Sequence, residues 1–290
     1  NFAAQINCMN SLLAFVIHWN IKPEIFMITD NFGIRWYSLL YGAAFFLGYN
    51  ILFWEFKKEN KNTEGADQLL MYMFFAVLIG ARLGHVFFYQ WDYYSQHLLE
   101  IVQIWKGGLA SHGAAIAITI ALILYKRNHP EYSFLWIIDR VAIPTAIGGS
   151  FIRFGNFFNS EIVGDYTDGS WGVVFERNRD DITGVFDTMP RVPIQLFEGF
   201  LYVLIFVVII TIYIKKDYKP REGSLMAIFL FMMFAGRFFL EYWKVDVNPL
   251  TMMGITLTHG QWLSFPFIAI AFFIYWLSTR NKQQEVIKPE

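Results

Sequence analysis

The chain has one cysteine, Cys8, among 290 residues, and only 16% of its residues are Asp, Glu, Lys or Arg. A single thiol excludes an intrachain disulfide and argues against a cysteine-based metal site. Neither sign of charge is in excess, the formal net charge being -1, which argues against a nucleic-acid partner. Internal repeats and low-complexity tracts are also missing. What fills the chain is apolar: 56% hydrophobic and 19% aromatic, above the apolar share and below the charged share of an ordinary soluble domain. The composition implies a polytopic membrane protein.

Apolar windows able to cross a hydrocarbon layer of about 30 Å fall at residues 36–56, 68–90, 109–125, 134–154, 195–214, 224–243 and 260–278. Seven spans are predicted, hence an all-α membrane fold. The third window is short, and the fourth holds Asp139, Arg140 and Pro144. Basic residues follow alternate spans: Lys57, Lys58 and Lys61, then Lys126 and Arg127, then Lys215, Lys216, Lys219 and Arg221, then Arg280 and Lys282. With seven spans these share one side, which the positive-inside rule makes cytoplasmic. The N-terminus and the loops at 91–105, 155–192 and 244–258 then face outward, and the C-terminus is cytoplasmic.

Residues 1–34 contain one short apolar stretch, Leu12 to Ile17, too short to span and without the basic flank of a signal peptide. An interfacial arm is expected there, and the absence of an initial Met suggests trimming. Residues 35–280 form the expected seven-helix domain, with 281–290 as a cytoplasmic tail. The loop at about 155–192, rich in Asp, Gly and Thr with Trp171, Phe175 and Phe186 interspersed, is long enough to fold as a small outward cap.

Polar residues at membrane depth read as sites, because each is unfavourable unless it faces a cavity or partner. Arg153, Asn156, Asn159, Ser160 and Glu161 cluster at the end of the fourth window. Arg153 and Asn156 are three apart, on one helical face, and a guanidinium beside amides suits a phosphate; the alternative is an arginine snorkelling to headgroups. His112 follows Gly107 and Gly108 at the head of the third window, placed either to accept a proton or to bond a neighbouring helix. Arg237 and Glu241, four apart and followed by Lys244, are either a structural ion pair or a second cation facing the same cavity. Arg82, between Gly80 and Gly84, suits function and close helix packing equally. Gln195 and Glu198 could continue the polar lining, as could Tyr37, although aromatic belts occupy its level anyway. Asp139 and Arg140 read as a structural pair or anchor. Nothing in the pattern asks for a metal or another cofactor.

Together, a glycine-flanked His112, the run Arg153-x-Gly155-Asn156-x-x-Asn159-x-Glu161 followed by Gly164, and Arg237-x-x-x-Glu241 resemble the bacterial prolipoprotein diacylglyceryl transferases. The resemblance runs from Trp36-Tyr37 through Gly80-Ala81-Arg82-Leu83-Gly84, Pro190-Arg191, Gln195 and Glu198 to Met253-Gly254 and Gly260-Gln261. It implies a monomeric enzyme of the bacterial inner membrane, its site opening toward the outer leaflet. The enzyme moves a diacylglyceryl group from phosphatidylglycerol to the lipobox cysteine thiol of a prolipoprotein and releases glycerol phosphate. By resemblance, His112, Arg153 and Arg237 are catalytic, while Tyr37, Arg82, Asn156, Asn159, Glu161, Gly164, Gln195, Glu198 and Glu241 bind substrate.

The chain departs from the family pattern at Ala114, usually glycine. It reads Ser160-Glu161-Ile162-Val163-Gly164-Asp165 for a Gly-Glu-Leu-Trp-Gly-Arg type ending, and Val192-Pro193-Ile194-Gln195-Leu196-Phe197 for His-Pro-Ser-Gln-Leu-Tyr. A degenerate lipid-binding relative and a transporter are the competing readings; a transporter would favour two similar halves, which are not evident.

Overall fold

The computed structural model describes residues 15–29, 32–104, 107–108, 110–178, 186–245, 249–252 and 254–287, without the side chains of 29, 32 and 281–287. Cys8, residues 12–14 of the apolar stretch, residues 179–185 of the expected cap, Met253 and the last three residues of the tail lie outside the described residues.

Seven long helices account for most of the chain: α1 (Trp36–Lys58), α2 (Thr63–Tyr89), α3 (Ser111–Asn128), α4 (Phe134–Phe158), α5 (Ile194–Lys215), α6 (Ser224–Leu240) and α7 (His259–Ile287). Among the described residues, six are long and apolar enough to cross a membrane, α6 together with the short turn Glu241–Trp243 that extends it. The other is α3, whose 18 residues include Ser111 and His112 at one end and Lys126, Arg127 and Asn128 at the other. At about 1.5 Å per residue it is roughly 27 Å long, close to the hydrocarbon thickness, and polar ends rather than shortness lower its apolarity. Local sequence explains several helix starts: the Asn62 side chain accepts from Glu64 N at 3.1 Å at the head of α2, and Ser133 Oγ from Trp136 N at 3.0 Å at the head of α4, each satisfying an orphan amide. Basic residues occupy the last turns of α1, α3 and α5, where they suit the helix dipole.

Neighbouring helices run antiparallel. A Cβ on Gly84 of α2 would lie 2.6 Å from Gly113 Cα at the head of α3, while Tyr125 Oη near the end of α3 donates to Gly65 O at the start of α2 at 3.0 Å. Gly48 packs on Pro144 and Gly155 on the Tyr37 ring between α1 and α4, and Gly199 packs on Phe154 between α5 and α4. Tyr202 of α5 meets Met233 of α6, and Phe234 of α6 stacks on Phe267 of α7. One end of the bundle thus gathers the tails of α2, α4 and α6 with the heads of α1, α3, α5 and α7. Two buried clusters hold the centre, one around Phe56, Leu69, Tyr125 and Ile137, the other around Ile143, Ile205, Ile209 and Leu225.

Asp139 and Arg140 are anchors but not a pair. Asp139 accepts from Gly223 N and Met226 N, both at 2.8 Å, and so caps α6. Arg140 Nη1 lies 2.5 Å from Glu59 Oε1, which also accepts from Tyr213 Oη at 2.9 Å. These contacts fasten the end of the bundle opposite the polar cluster.

The structure adds six short strands to the expected all-α picture. β1 (Phe15–Trp19) pairs in parallel with β4 (Trp171–Phe175), matching Phe15 to Trp171 and Trp19 to Phe175. Residues 15–19, expected in a separate arm, are therefore part of the cap. Trp19 packs on Phe157 with ring centroids 4.4 Å apart, joining the cap to the end of α4. Arg191 organises its interior: Nε donates to Asp187 Oδ2 at 2.7 Å, and the guanidinium lies 3.8 Å from the Tyr166 ring. The antiparallel hairpin β2 (Glu24–Thr29) and β3 (Phe32–Arg35) runs directly into α1, and β5 (Leu250–Met252) pairs with β6 (Ile255–Leu257) just before α7.

Candidate active site

The last turns of α4 hold the polar face that the three-residue spacing of Arg153 and Asn156 predicts. Arg153 Nη1 approaches Asn156 Oδ1 at 3.4 Å, a long contact, while Asn156 Nδ2 donates to Glu161 Oε1 at 2.7 Å. Asn159 Nδ2 reaches the same oxygen at 3.4 Å. Glu161 can face back toward α4 because Ser160 and Ile162, on either side of it, both adopt φ of 55°. That left-handed conformation is unfavourable for a non-glycine residue, above all a β-branched one. Buried Gln195, one residue into α5, donates to Glu161 O at 2.7 Å and pins the turn from the other side.

Glu198 lies three residues beyond Gln195, on the same face of α5. Its carboxylate is 2.9 Å from Arg153 Nε through Oε2 and 2.6 Å from Lys244 Nζ through Oε1. Lys244 Nζ lies also 3.4 Å from Glu241 Oε2, which stands 3.9 Å from Arg237 Nε. An alternating row results: Arg153, Glu198, Lys244, Glu241, Arg237. Glu241 rests against Gly260 at the head of α7, where a side chain would collide with its carboxylate. Tyr202, one turn along α5 from Glu198, is within electrostatic reach of Arg153, Glu198 and Arg237, so both arginines face the same stretch of α5. Tyr37 is within reach of Arg153 and Glu161.

The row is buried yet incompletely bonded. Asn159 Oδ1, Ser160 Oγ, Gln195 Oε1, Glu198 Oε2, Arg237 Nε and Glu241 Oε2 are all inaccessible and have no hydrogen-bond partner of good geometry. Native proteins leave few such atoms unpaired. Their concentration between α4, α5 and α6 marks a place built for a polar ligand. The Arg237 side chain is 40% exposed and Arg153 21%, so both forks can be reached, and two guanidiniums with spare donors match a phosphate.

Gly164 plays a different part from the one expected of a substrate-contacting residue. Its amide donates to Val192 O at 3.0 Å, Asp165 N donates to Trp243 O at 2.9 Å, and Gly164 bridges to Lys244. A Cβ at this position would lie 2.5 Å from Val192 O and 2.7 Å from Trp243 O. Here the rim of the site is stitched to the turn that carries Lys244.

His112 and Arg82 form a separate group. His112 is exposed at the head of α3, at the same end of the bundle as the charged row, and joins none of its pairs. Arg82 is buried, and its guanidinium donates to Glu100 O at 2.7 Å, Ile101 O at 2.8 Å and Gly107 O at 2.6 Å, with Tyr94 stacked 4.8 Å away. These bonds fix the loop leading to His112. The glycines around these residues serve helix packing, since Gly80, Gly84 and Gly113 bring the backbones of α2 and α3 together. Sequence reasoning noticed Lys244 only as a neighbour of Glu241; its link to Glu198 depends on the approach of α5 to the end of α6. Among the described residues, no group of acidic, histidine or cysteine side chains could hold a metal ion.

The family model described as prolipoprotein diacylglyceryl transferase matches residues 23–277. Among curated relatives, a phosphatidylglycerol--prolipoprotein diacylglyceryl transferase of Tolumonas auensis is 42% identical over 92% of this chain and 99% of its own length. The protein of that name from Chloroherpeton thalassium is 38% identical over 93% and 97%, and one from Bacteroides fragilis 35% identical over 94% and 99%. The chain belongs to the prolipoprotein diacylglyceryl transferase family.

Proposed function

We propose that the protein transfers the diacylglyceryl group of phosphatidylglycerol to the lipobox cysteine of a prolipoprotein, in the outer leaflet of the bacterial inner membrane. The observation that carries the reading is the pair of reachable arginines, Arg153 and Arg237, at the two ends of one charged row in which Glu198 Oε2, Glu241 Oε2 and Arg237 Nε lack hydrogen-bond partners of good geometry. The thiol sulfur attacks the glyceryl carbon that bears the phosphate. The C–S bond forms as the C–O bond breaks, and glycerol phosphate leaves with the electron pair. Negative charge grows on the departing oxygen, where fixed cations at a water-poor site are most effective. Arg153 and Arg237 supply that charge, Asn156 and Glu161 set the geometry around Arg153, and Tyr37 closes the α1 side.

A cysteine thiol of ordinary pKa near 8.5 is mostly protonated at neutral pH, so a base is required. His112, exposed and unpaired with the charged row, takes the thiol proton, and Arg82 positions its loop. The basic last turns of α1, α3 and α5 support a cytoplasmic location for the opposite end, by the positive-inside rule, and with it a site at the outer leaflet. Incubation of the purified protein with labelled phosphatidylglycerol and a lipobox peptide tests this reading. A thioether-linked diacylglyceryl peptide is expected, together with labelled glycerol phosphate when the headgroup carries the label. No product under any condition overturns it.

A further inference from the structure

Lys244 stands where the two halves of the charged row meet. Its Nζ is 2.6 Å from Glu198 and 3.4 Å from Glu241, and its side chain is 16% exposed. Each of these carboxylates also faces an arginine, Arg153 at 2.9 Å and Arg237 at 3.9 Å. A carboxylate that closes bidentately on a guanidinium occupies the same fork a phosphate needs. The wide spacing between Arg237 and Glu241, with Arg237 Nε left unpartnered, shows a guanidinium not taken up by its glutamate. The close one, at Glu198, is shared with the lysine.

We propose that Lys244 is a positioning residue of the transfer reaction: by engaging Glu198 and Glu241 it keeps the arginine forks open for the phosphate of the lipid. This rests on the reading of the row as the headgroup site. The lysine backbone is held independently of its ammonium, through the bridge to Gly164 and the amide bond to Glu241 O at 3.2 Å. Removing the charge therefore leaves the local fold in place.

Without that ammonium, Glu198 and Glu241 turn to Arg153 and Arg237 for compensation and block them. The charged and titratable groups around the lysine are Glu198 and Tyr202 on α5, Glu241 beyond α6, Arg237 on α6, Arg153 on α4 and, past Arg153, Glu161 and Tyr37.

The test uses full-length Lys244→Met and Lys244→Arg proteins in lipid nanodiscs, with phosphatidylglycerol and a lipobox peptide, at one near-neutral pH, with thermal unfolding alongside. Lys244→Met is expected to lose about tenfold in kcat/KM for the lipid, carried mainly by KM. Lys244→Arg is expected to recover most of it, and Glu241→Gln in the Lys244→Met background to recover part, because the competitor for Arg237 is gone. Wild-type kinetics in Lys244→Met overturn the proposal, as does a loss that Lys244→Arg leaves unrecovered and that accompanies lower thermal stability. Arg153→Ala run alongside separates the two levels: full activity there defeats the headgroup site itself, whereas its loss with an unaffected Lys244→Met defeats only the role of the lysine.

Discussion

Asn156 Nδ2 donates to Glu161 Oε1 at 2.7 Å across the turn that ends α4. The bond joins the face of α4 that presents Arg153 to the rim of the site, and Asn156 is almost wholly buried. Asn156→Asp keeps the shape and replaces the donor by a second carboxylate. Losing a hydrogen bond to a charged group is worth about 2 kcal/mol, and like charges at this range add to it. Activity is expected to fall by at least roughly thirtyfold. Near-wild-type activity of Asn156→Asp at pH 7 and above would show that Glu161 does not depend on this bond.

Under the proposed function, Arg153 stabilises charge rather than the fold. Its bonds are one ion pair at 2.9 Å and one long contact at 3.4 Å. Arg153→Ala should raise the barrier by about 2–4 kcal/mol, by analogy with other donors to a developing anion, with little change in thermal stability. Arg153→Lys restores the charge but not the fork and should recover only part of the rate. Turnover assays beside thermal unfolding in detergent check both, and wild-type turnover in Arg153→Ala would remove the residue from the reaction.

The helices are legible from the sequence because each is a long apolar run; the third window is less distinct because it is short, and the fourth because it holds Asp139, Arg140 and Pro144. The cap was legible only as a long loop. β1 and β4 pair residues more than 150 positions apart, and nothing local to either segment announces the other. The polar run from Arg153 to Glu161 could be read directly, since its members lie within one helix and the turn after it. Arg82 could not be resolved, because an arginine between glycines looks the same whether it faces a ligand or clamps the carbonyls of Glu100, Ile101 and Gly107. Lys244 was similarly hidden, its partner Glu198 lying on another helix.

The rim departs from the family pattern at Ser160, and the backbone gives a physical consequence. Ser160 holds φ of 55°, a conformation that is unfavourable for a side-chain-bearing residue by roughly 1 kcal/mol or more and free for glycine. Ser160→Gly is expected to raise stability slightly and leave transfer intact, although the added freedom of the unfolded chain offsets part of the gain. The opposite change at Gly164 should be severe. A methyl group there meets two backbone carbonyl oxygens, and moving them costs about 1–3 kcal/mol while shifting the turn that carries Lys244. Thermal unfolding with parallel transfer assays decides, and a destabilised Ser160→Gly or an indifferent Gly164→Ala would contradict this account of the rim.

In the proposed mechanism His112 meets the remaining chemical demand, removal of the thiol proton. Imidazole is suited to that role near neutral pH, and a positioned base contributes about 10²- to 10⁴-fold. His112→Gln keeps a polar side chain at the head of α3 and removes the base. The variant then depends on thiolate formed without assistance, which rises toward the thiol pKa of about 8.5. Its deficit against wild type should therefore be largest near pH 7 and narrow toward pH 9. Single-turnover rates at saturating phosphatidylglycerol, taken from pH 6 to 9, measure that ratio directly. A constant ratio across the range would assign His112 to packing at the α2–α3 contact and require the proton acceptor to come from the lipid phosphate or the peptide.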